Sequence, residues 1–252
     1  MPRPSITVLD DYEALSRAGA DGVAAIVAAS PRARVVVATG RTPMGLYREL
    51  ASRAARGELD ATGLTVFQLD EYVDIPTDDR RSLLGWAIES FAEPLGIPRE
   101  RVVSLPVDGD IGACAAYDRE VEDGGGYDLT ILGIGPNGHV GFNEPPSDAD
   151  TPTRIVELSP ESVRSNAGYW GGESHVPRQA VTVGMAGLLR SRTILLVASG
   201  ASKRDIVRRA VLGPQTPEVP ASLLQGAADL RVLIDRAAWE GSEPVRGGAT
   251  CR

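Results

Sequence analysis

His139 stands in a loop, GIGPNGHVGFNEPP, that is crowded with groups able to orient an imidazole. The chain has only two histidines and three asparagines, yet Asn137 and Asn143 lie within four residues of His139, and Glu144 follows at once. An imidazole held by such neighbours moves protons near neutral pH, although a structural histidine bonding its own loop would look similar. Lys203 is the second unusual residue: it is the single lysine among 26 basic residues and follows Ser199, Gly200, Ala201 and Ser202. A compact ammonium fits a tight anion pocket that a planar guanidinium does not. A cation opening a helix opposes the helix dipole unless an anion sits with it, which makes Lys203 a candidate phosphate ligand. A third segment, ATGRTPMGLYREL, offers Thr39, Gly40, Arg41 and Thr42 ahead of Pro43. Glycine permits tight curvature, proline suits a first helical turn, and exposed amides at a helix start attract phosphate. A plain strand-to-helix turn shares that pattern. Last, FQLDEYVDIP ends an apolar run with Asp70 and Glu71, whose side chains alternate along a strand. An aspartate there serves as a general base, or as a helix cap or turn former.

These segments need a scaffold that brings them together. Apolar runs at 34–38, 64–69, 128–132, 193–198 and 230–234 predict buried strands, with weaker ones at 102–105 and 180–183. Helical patterns fall between them, near 12–29, 43–56, 81–92, 111–122, 184–190 and 201–211. The alternation predicts an α/β fold with a mostly parallel sheet and helices on both faces. No linker divides the chain, so residues 1–252 read as one domain, and the Pro-, Gly-, Ser- and Asp-rich stretch 145–179 as a lid over the sheet. In such a sheet ligands bind beyond the carboxyl ends of the strands, where all four segments lie. They converge only if their strands are neighbours.

Other chemistries fit less well. Gly133, Gly135 and Gly138 have G-x-G-x-x-G spacing, but Gly141, Asn143, Pro145 and Pro146 would break the helix that a dinucleotide fingerprint must open. No His/Cys/carboxylate cluster has zinc spacing, and no G-x-S-x-G elbow marks a hydrolase nucleophile, so no metal and no cofactor are expected. With 42% hydrophobic and 24% charged residues the composition is globular, and no apolar run approaches the ~20 residues of a membrane span. The opening MPRPSITVLDDYEALSRAG lacks signal-peptide character, and Cys114 and Cys251 make no disulfide framework, so a cytoplasmic location is expected. A net charge of −8 argues against nucleic acid as a partner.

Taken together, ATGRTP, LDEY, GIGPNGHVGFNEP, TRI, VTVG and SGASK resemble the glucosamine-6-phosphate deaminase family, in the family's order over about residues 34–205. The resemblance implies a modified Rossmann-like three-layer fold. It also implies aldose–ketose isomerisation with deamination of an amino-sugar 6-phosphate to a ketose 6-phosphate and ammonia. On that basis Asp70 is the proton-transferring carboxylate, His139 the ring-opening histidine and Glu144 its orienting partner. Asn137 occupies a position that is Asp in one branch and Asn in others. Thr39, Gly40, Arg41 and Thr42 match the phosphate loop and Lys203 the phosphate lysine. The related 6-phosphogluconolactonases share a glycine–histidine loop but depart from VGFNEP after His139.

The chain also departs from the family pattern. Arg41 stands where a small residue is usual, and Gly168 where many deaminases carry a phosphate-binding arginine, so Arg41 is expected to supply the missing charge. Val156 lacks the basic group of members that N-acetylglucosamine 6-phosphate activates, and the end of the chain is short; no such activation is expected. VPASLLQ and the Asn-Gly-His loop lean toward galactosamine-type or other amino-sugar deaminases. A phosphosugar is the implied partner, with a homo-oligomer an open alternative. A lactonase or isomerase on the same fold, and a non-catalytic phosphosugar sensor, are the competing readings.

Overall fold

Strands that are apolar at every position need cover on both faces, and the chain supplies it. The computed structural model describes residues 4–76, 79–107 and 111–240. Its strands are β1 (Ser5–Leu9), β2 (Arg34–Val37), β3 (Thr65–Gln68), β4 (Asp70–Tyr72), β5 (Val102–Val103), β6 (Leu129–Leu132), β7 (Arg154–Glu157), β8 (Gln179–Thr182), β9 (Thr193–Ala198) and β10 (Leu230–Asp235). Its helices are α1 (Tyr12–Ala29), α2 (Met44–Ala55), α3 (Leu83–Ala87), α4 (Ile111–Asp123), α5 (Pro160–Trp170), α6 (Met185–Leu189), α7 (Arg204–Leu212), α8 (Pro220–Leu223) and α9 (Arg236–Trp239).

Seven strands form one parallel sheet in the order β1-β10-β9-β6-β2-β3-β5. Alternate residues serve its two faces, as a period of two requires. Val35, Val37, Leu195 and Val197 pack with Leu15 and Val23 of α1 and Leu46 and Leu50 of α2. Val36, Ile194 and Leu196 pack on the other face with Tyr117 of α4, Leu188 of α6 and Val207 of α7. Each fully buried Leu, Ile or Val stabilises the fold by about 1.5–3 kcal/mol, so the paired cores hold the sheet's carboxyl edge rigid. Helix α1 starts where the Asp11 side chain accepts a 2.7 Å hydrogen bond from the Ala14 amide. Cys114 is buried, and Cys251 lies outside the described residues.

A second, antiparallel sheet, β4-β8-β7, was not foreseen. The chain leaves β3 at Gln68 and enters β4 at Asp70, so the run read as one strand serves two sheets. The stretch 145–179 is likewise more regular than its composition suggests, for it contains β7 and α5. Ser159 caps α5, Pro160 occupies its first turn, and Gly171 ends it at φ 74°. A third core of Tyr72, Leu83, Phe142, Val163, Trp170 and Val176 joins α5 to the second sheet.

Candidate active site

The carboxyl ends of β9, β6, β2 and β3 lie side by side, because these four strands are consecutive neighbours in the sheet. The segments that follow them therefore meet in one cleft of about 590 Å³. Thr39, Gly40, Arg41, Thr42, Asp70, His139 and Lys203 all line it, so the sequence-predicted anion ligands and proton carriers share one space. Asn137 and Glu144 stand behind His139 and are not part of the lining.

The loop after β2 is shaped locally. Gly40 adopts φ 90°, a region L side chains avoid. The Tyr12 hydroxyl donates toward the carbonyls of Arg41 and Thr42, at 3.1 and 3.0 Å, and accepts from the Gly45 amide at 2.8 Å. Lys203 also lines the cleft, and its ammonium donates to the Ile134 carbonyl at 2.7 Å. Burial and the nearby charge of Arg41 both lower the Lys203 pKa. Among the described residues no carboxylate forms an ion pair with Lys203 or Arg41. Two neighbouring cations without a counter-charge suit an anionic ligand.

Asp70 and Glu71 divide their tasks as alternation along a strand predicts. Glu71 turns inward and accepts from Gln68 Nε2 and from the amides of Tyr72, Leu83 and Leu84, at 2.8 to 3.0 Å, anchoring the start of α3. Asp70 faces the cleft at 8% exposure. Burial, with a smaller contribution from the charge of Glu71, pushes its pKa up to about 7. A carboxyl group tuned to that range exchanges protons near neutral pH.

His139 is held from behind. Its Nδ1 lies 3.3 Å from Glu144 Oε2, and its amide donates to Asn137 Oδ1 at 3.1 Å. Asn137 Nδ2 in turn donates to the same Glu144 oxygen at 2.8 Å. Burial alone would raise the Glu144 pKa; hydrogen bonding and charge from His139, with hydrogen bonds from Ser162 and Asn137, outweigh it and bring it to about 2. An ionised Glu144 facing Nδ1 selects the tautomer with its proton on Nδ1 and leaves Nε2 with the free lone pair. Asn143 is fully buried, donates to the carbonyls of Val140 and Val183, and accepts from Arg154 at 2.8 Å, which fixes the backbone just before Glu144.

Gly135 owes its identity to space. A Cβ there would sit 2.1 to 2.4 Å from three atoms of the His139 ring. Gly135→Ala is therefore expected to displace the imidazole and lower kcat about 100-fold or more, with the melting temperature little changed. Steady-state kinetics and thermal unfolding of the variant check this.

Several residues of the cleft had not been singled out. Helix α5 contributes Ser165, Asn166, Tyr169 and Trp170, and the segment before α3 contributes Arg80 and Arg81. Asn166 is the third of the chain's three asparagines, so the rarity that drew attention to the histidine loop extended to it as well. Arg81 stacks on Trp170 at 4.3 Å and Trp86 packs on Tyr169 at 5.3 Å, tying α5 to the opposite wall. Among the described residues no group of three His, Cys, Asp or Glu is placed to hold a metal. No helix among them is long and apolar enough to cross a membrane.

Residues 10–233 match the family described as glucosamine-6-phosphate isomerases/6-phosphogluconolactonase. A glucosamine-6-phosphate deaminase of Halothermothrix orenii is 37% identical over 235 residues, covering 92% of this chain and 98% of the relative. One of Cutibacterium acnes is also 37% identical over 235 residues, covering 92% of this chain and 90% of the relative. Among solved structures, a monomeric glucosamine-6-phosphate deaminase superposes with a TM-score of 0.89 at 34% identity, covering 93% of this chain and 98% of that one. The 6-phosphogluconolactonase of Trypanosoma brucei has a TM-score of 0.74 at 20% identity, covering 94% and 97%, a likeness of fold.

Proposed function

Because the chain belongs to the glucosamine-6-phosphate isomerase/6-phosphogluconolactonase family, we propose that it is an amino-sugar-phosphate deaminase acting on glucosamine 6-phosphate. One observation carries the reading: an unneutralised cation pair and a proton-transfer pair lie within a single cleft, at the ends of adjacent strands. The substrate phosphate binds the amides of the loop after β2, the hydroxyls of Thr39 and Thr42, and Lys203. The sugar's first two carbons then reach Asp70 and His139.

His139, oriented by Glu144 and Asn137, takes the anomeric hydroxyl proton and returns it to the ring oxygen, opening the pyranose. Asp70 removes the proton from C2 and delivers it to C1. The double bond passes from C1=O to C1=C2 and then to C2=N as one proton of the C2 ammonium moves to the C1 oxygen, so an aldose ammonium becomes a ketose iminium. Water adds to C2, and the carbinolamine expels ammonia, which makes the overall reaction hydrolytic. A carboxylate is a weak base toward carbon, so positioning and stabilisation of the enolic charge supply much of the acceleration.

Arg41 adds the charge that Gly168 does not provide. Gly168 has open space beside it, whereas Arg41 lies at the cleft and close enough to lower the Lys203 pKa. Arg41→Ala is expected to raise KM for the phosphosugar about tenfold, with kcat within a factor of two or so. An unchanged KM removes Arg41 from the anion site. A sugar-phosphate substrate suits a cytoplasmic enzyme. The decisive assay is ammonia release, coupled to glutamate dehydrogenase, from glucosamine 6-phosphate and from galactosamine 6-phosphate. Hydrolysis of 6-phosphogluconolactone without ammonia release from either amine would reject the assignment.

A further inference from the structure

Ser162 belongs to α5, distant in sequence from the histidine loop, yet it is fully buried against that loop. Its hydroxyl donates to Glu144 Oε1, and Ser162 Oγ itself lies 3.5 Å from His139 Nδ1. The two oxygens of Glu144 are thereby engaged separately: Oε2 by Asn137 and His139, Oε1 by Ser162. A carboxylate held at one oxygen can still rotate about its terminal torsion, which is soft. Held at both, it keeps Oε2 turned toward Nδ1.

Ser162 also connects to the cleft. Its carbonyl accepts from Ser165 Oγ at 3.0 Å and from Asn166 Nδ2 at 2.9 Å, and both of those side chains line the space where the substrate binds. Its amide is fixed by the Ser159 cap at 3.1 Å. One residue thus joins the helix that walls the cleft to the carboxylate that orients the imidazole.

We infer that Ser162 is a positioning residue for the His139–Glu144 pair, and the contact through which the seated helix α5 sets that pair for proton transfer. The inference rests on the proposed role of His139 in ring opening. It goes beyond that role by making proton transfer depend on a hydroxyl that never touches the sugar.

The test compares Ser162→Ala, Ser162→Thr, Glu144→Gln, the Ser162→Ala/Glu144→Gln double variant and His139→Ala, all by ammonia release from glucosamine 6-phosphate. Loss of one hydrogen bond to a charged group predicts that Ser162→Ala lowers kcat about 10- to 100-fold, with KM changed less than about twofold. Ser162→Thr, which keeps the hydroxyl, recovers most of kcat. In the Glu144→Gln background, Ser162→Ala costs less than about threefold more, because its effect passes through the carboxylate. Should Ser162→Ala fail to fold, Ser162→Cys, a weak donor of similar shape, takes its place in the same comparison. A wild-type kcat in Ser162→Ala, or an equal fall in both backgrounds, overturns the inference while leaving the function standing. Wild-type activity in His139→Ala instead overturns the role of His139 itself, and the inference with it.

Discussion

Asp70→Asn is expected to lower kcat by at least about 1000-fold and, above pH 7, to raise the melting temperature. Both effects have one source. Asp70 is buried at the cleft beside Glu71, with its pKa raised from 3.8 to about 7. The proposed proton transfer at C2 and C1 needs the ionised carboxylate, so in the wild type kcat/KM is expected to rise with pH through about 7. The amide has no such form at any pH. Stability moves in the opposite sense. Below pH 4 the carboxyl is protonated in both folded and unfolded chains and contributes nothing. Between pH 4 and 7 the unfolded chain gives up this proton first, so stability falls as pH rises. Above 7 both states are ionised and the cost stays constant, with an upper bound of about 4 kcal/mol from the separation of the two pKa values. Removing the charge recovers part of that cost. For a chain of this size the gain is about 5 °C at pH 8.5, shrinking toward zero at pH 4. A variant that is inactive but equally stable at both pH values would show that burial of Asp70 is not what tunes it.

Much of this site was legible because the chain spends rare residues there. One lysine, one of two histidines and all three asparagines belong to the cleft or its support. The central sheet was legible for a different reason: strands covered on both faces read as near-continuous apolar runs, as β2, β6 and β9 do, and β10 apart from its exposed Arg231 and its terminal Asp235. What escaped was structure whose cause lies far away in sequence. Asp70–Tyr72 is too short to show a period, and it becomes a strand by pairing with β8. Arg154–Glu157 is half exposed and pairs with the other edge of β8, so its apolar signal is diluted. Helix α5 buries only Ser162, Val163 and Trp170, too few for a helical stripe, although Ser159, Pro160 and Gly171 gave usable start and stop signals. Edge strand β1 pairs on one side alone, and the half-exposed SITVL carries little contrast. The role of Ser162 depends on the meeting of α5 with the histidine loop, which no local pattern encodes.

The proposed anion site gives the second large effect. Lys203→Met is expected to raise KM for glucosamine 6-phosphate about 100-fold or more, and Lys203→Arg to recover less than a tenth of the loss. The ammonium has three donors, of which one is spent on the Ile134 carbonyl at 2.7 Å, leaving two for a phosphate. That short bond sets how near the cation stands to the loop after β6. A guanidinium is wider and planar, and cannot take the same carbonyl while aiming two donors at the same point. Arginine at 203 would also meet the guanidinium of Arg41, whose charge already lowers the Lys203 pKa across the cleft. A bound phosphate would relieve that repulsion, so the proposed site would gain affinity from two close cations. Inorganic phosphate provides an independent measure. As a competitive inhibitor it should weaken in parallel with the substrate in Lys203→Met, while kcat at saturation changes far less. If KM rises but phosphate inhibits the variant as well as the wild type, Lys203 holds the sugar by some group other than its phosphate.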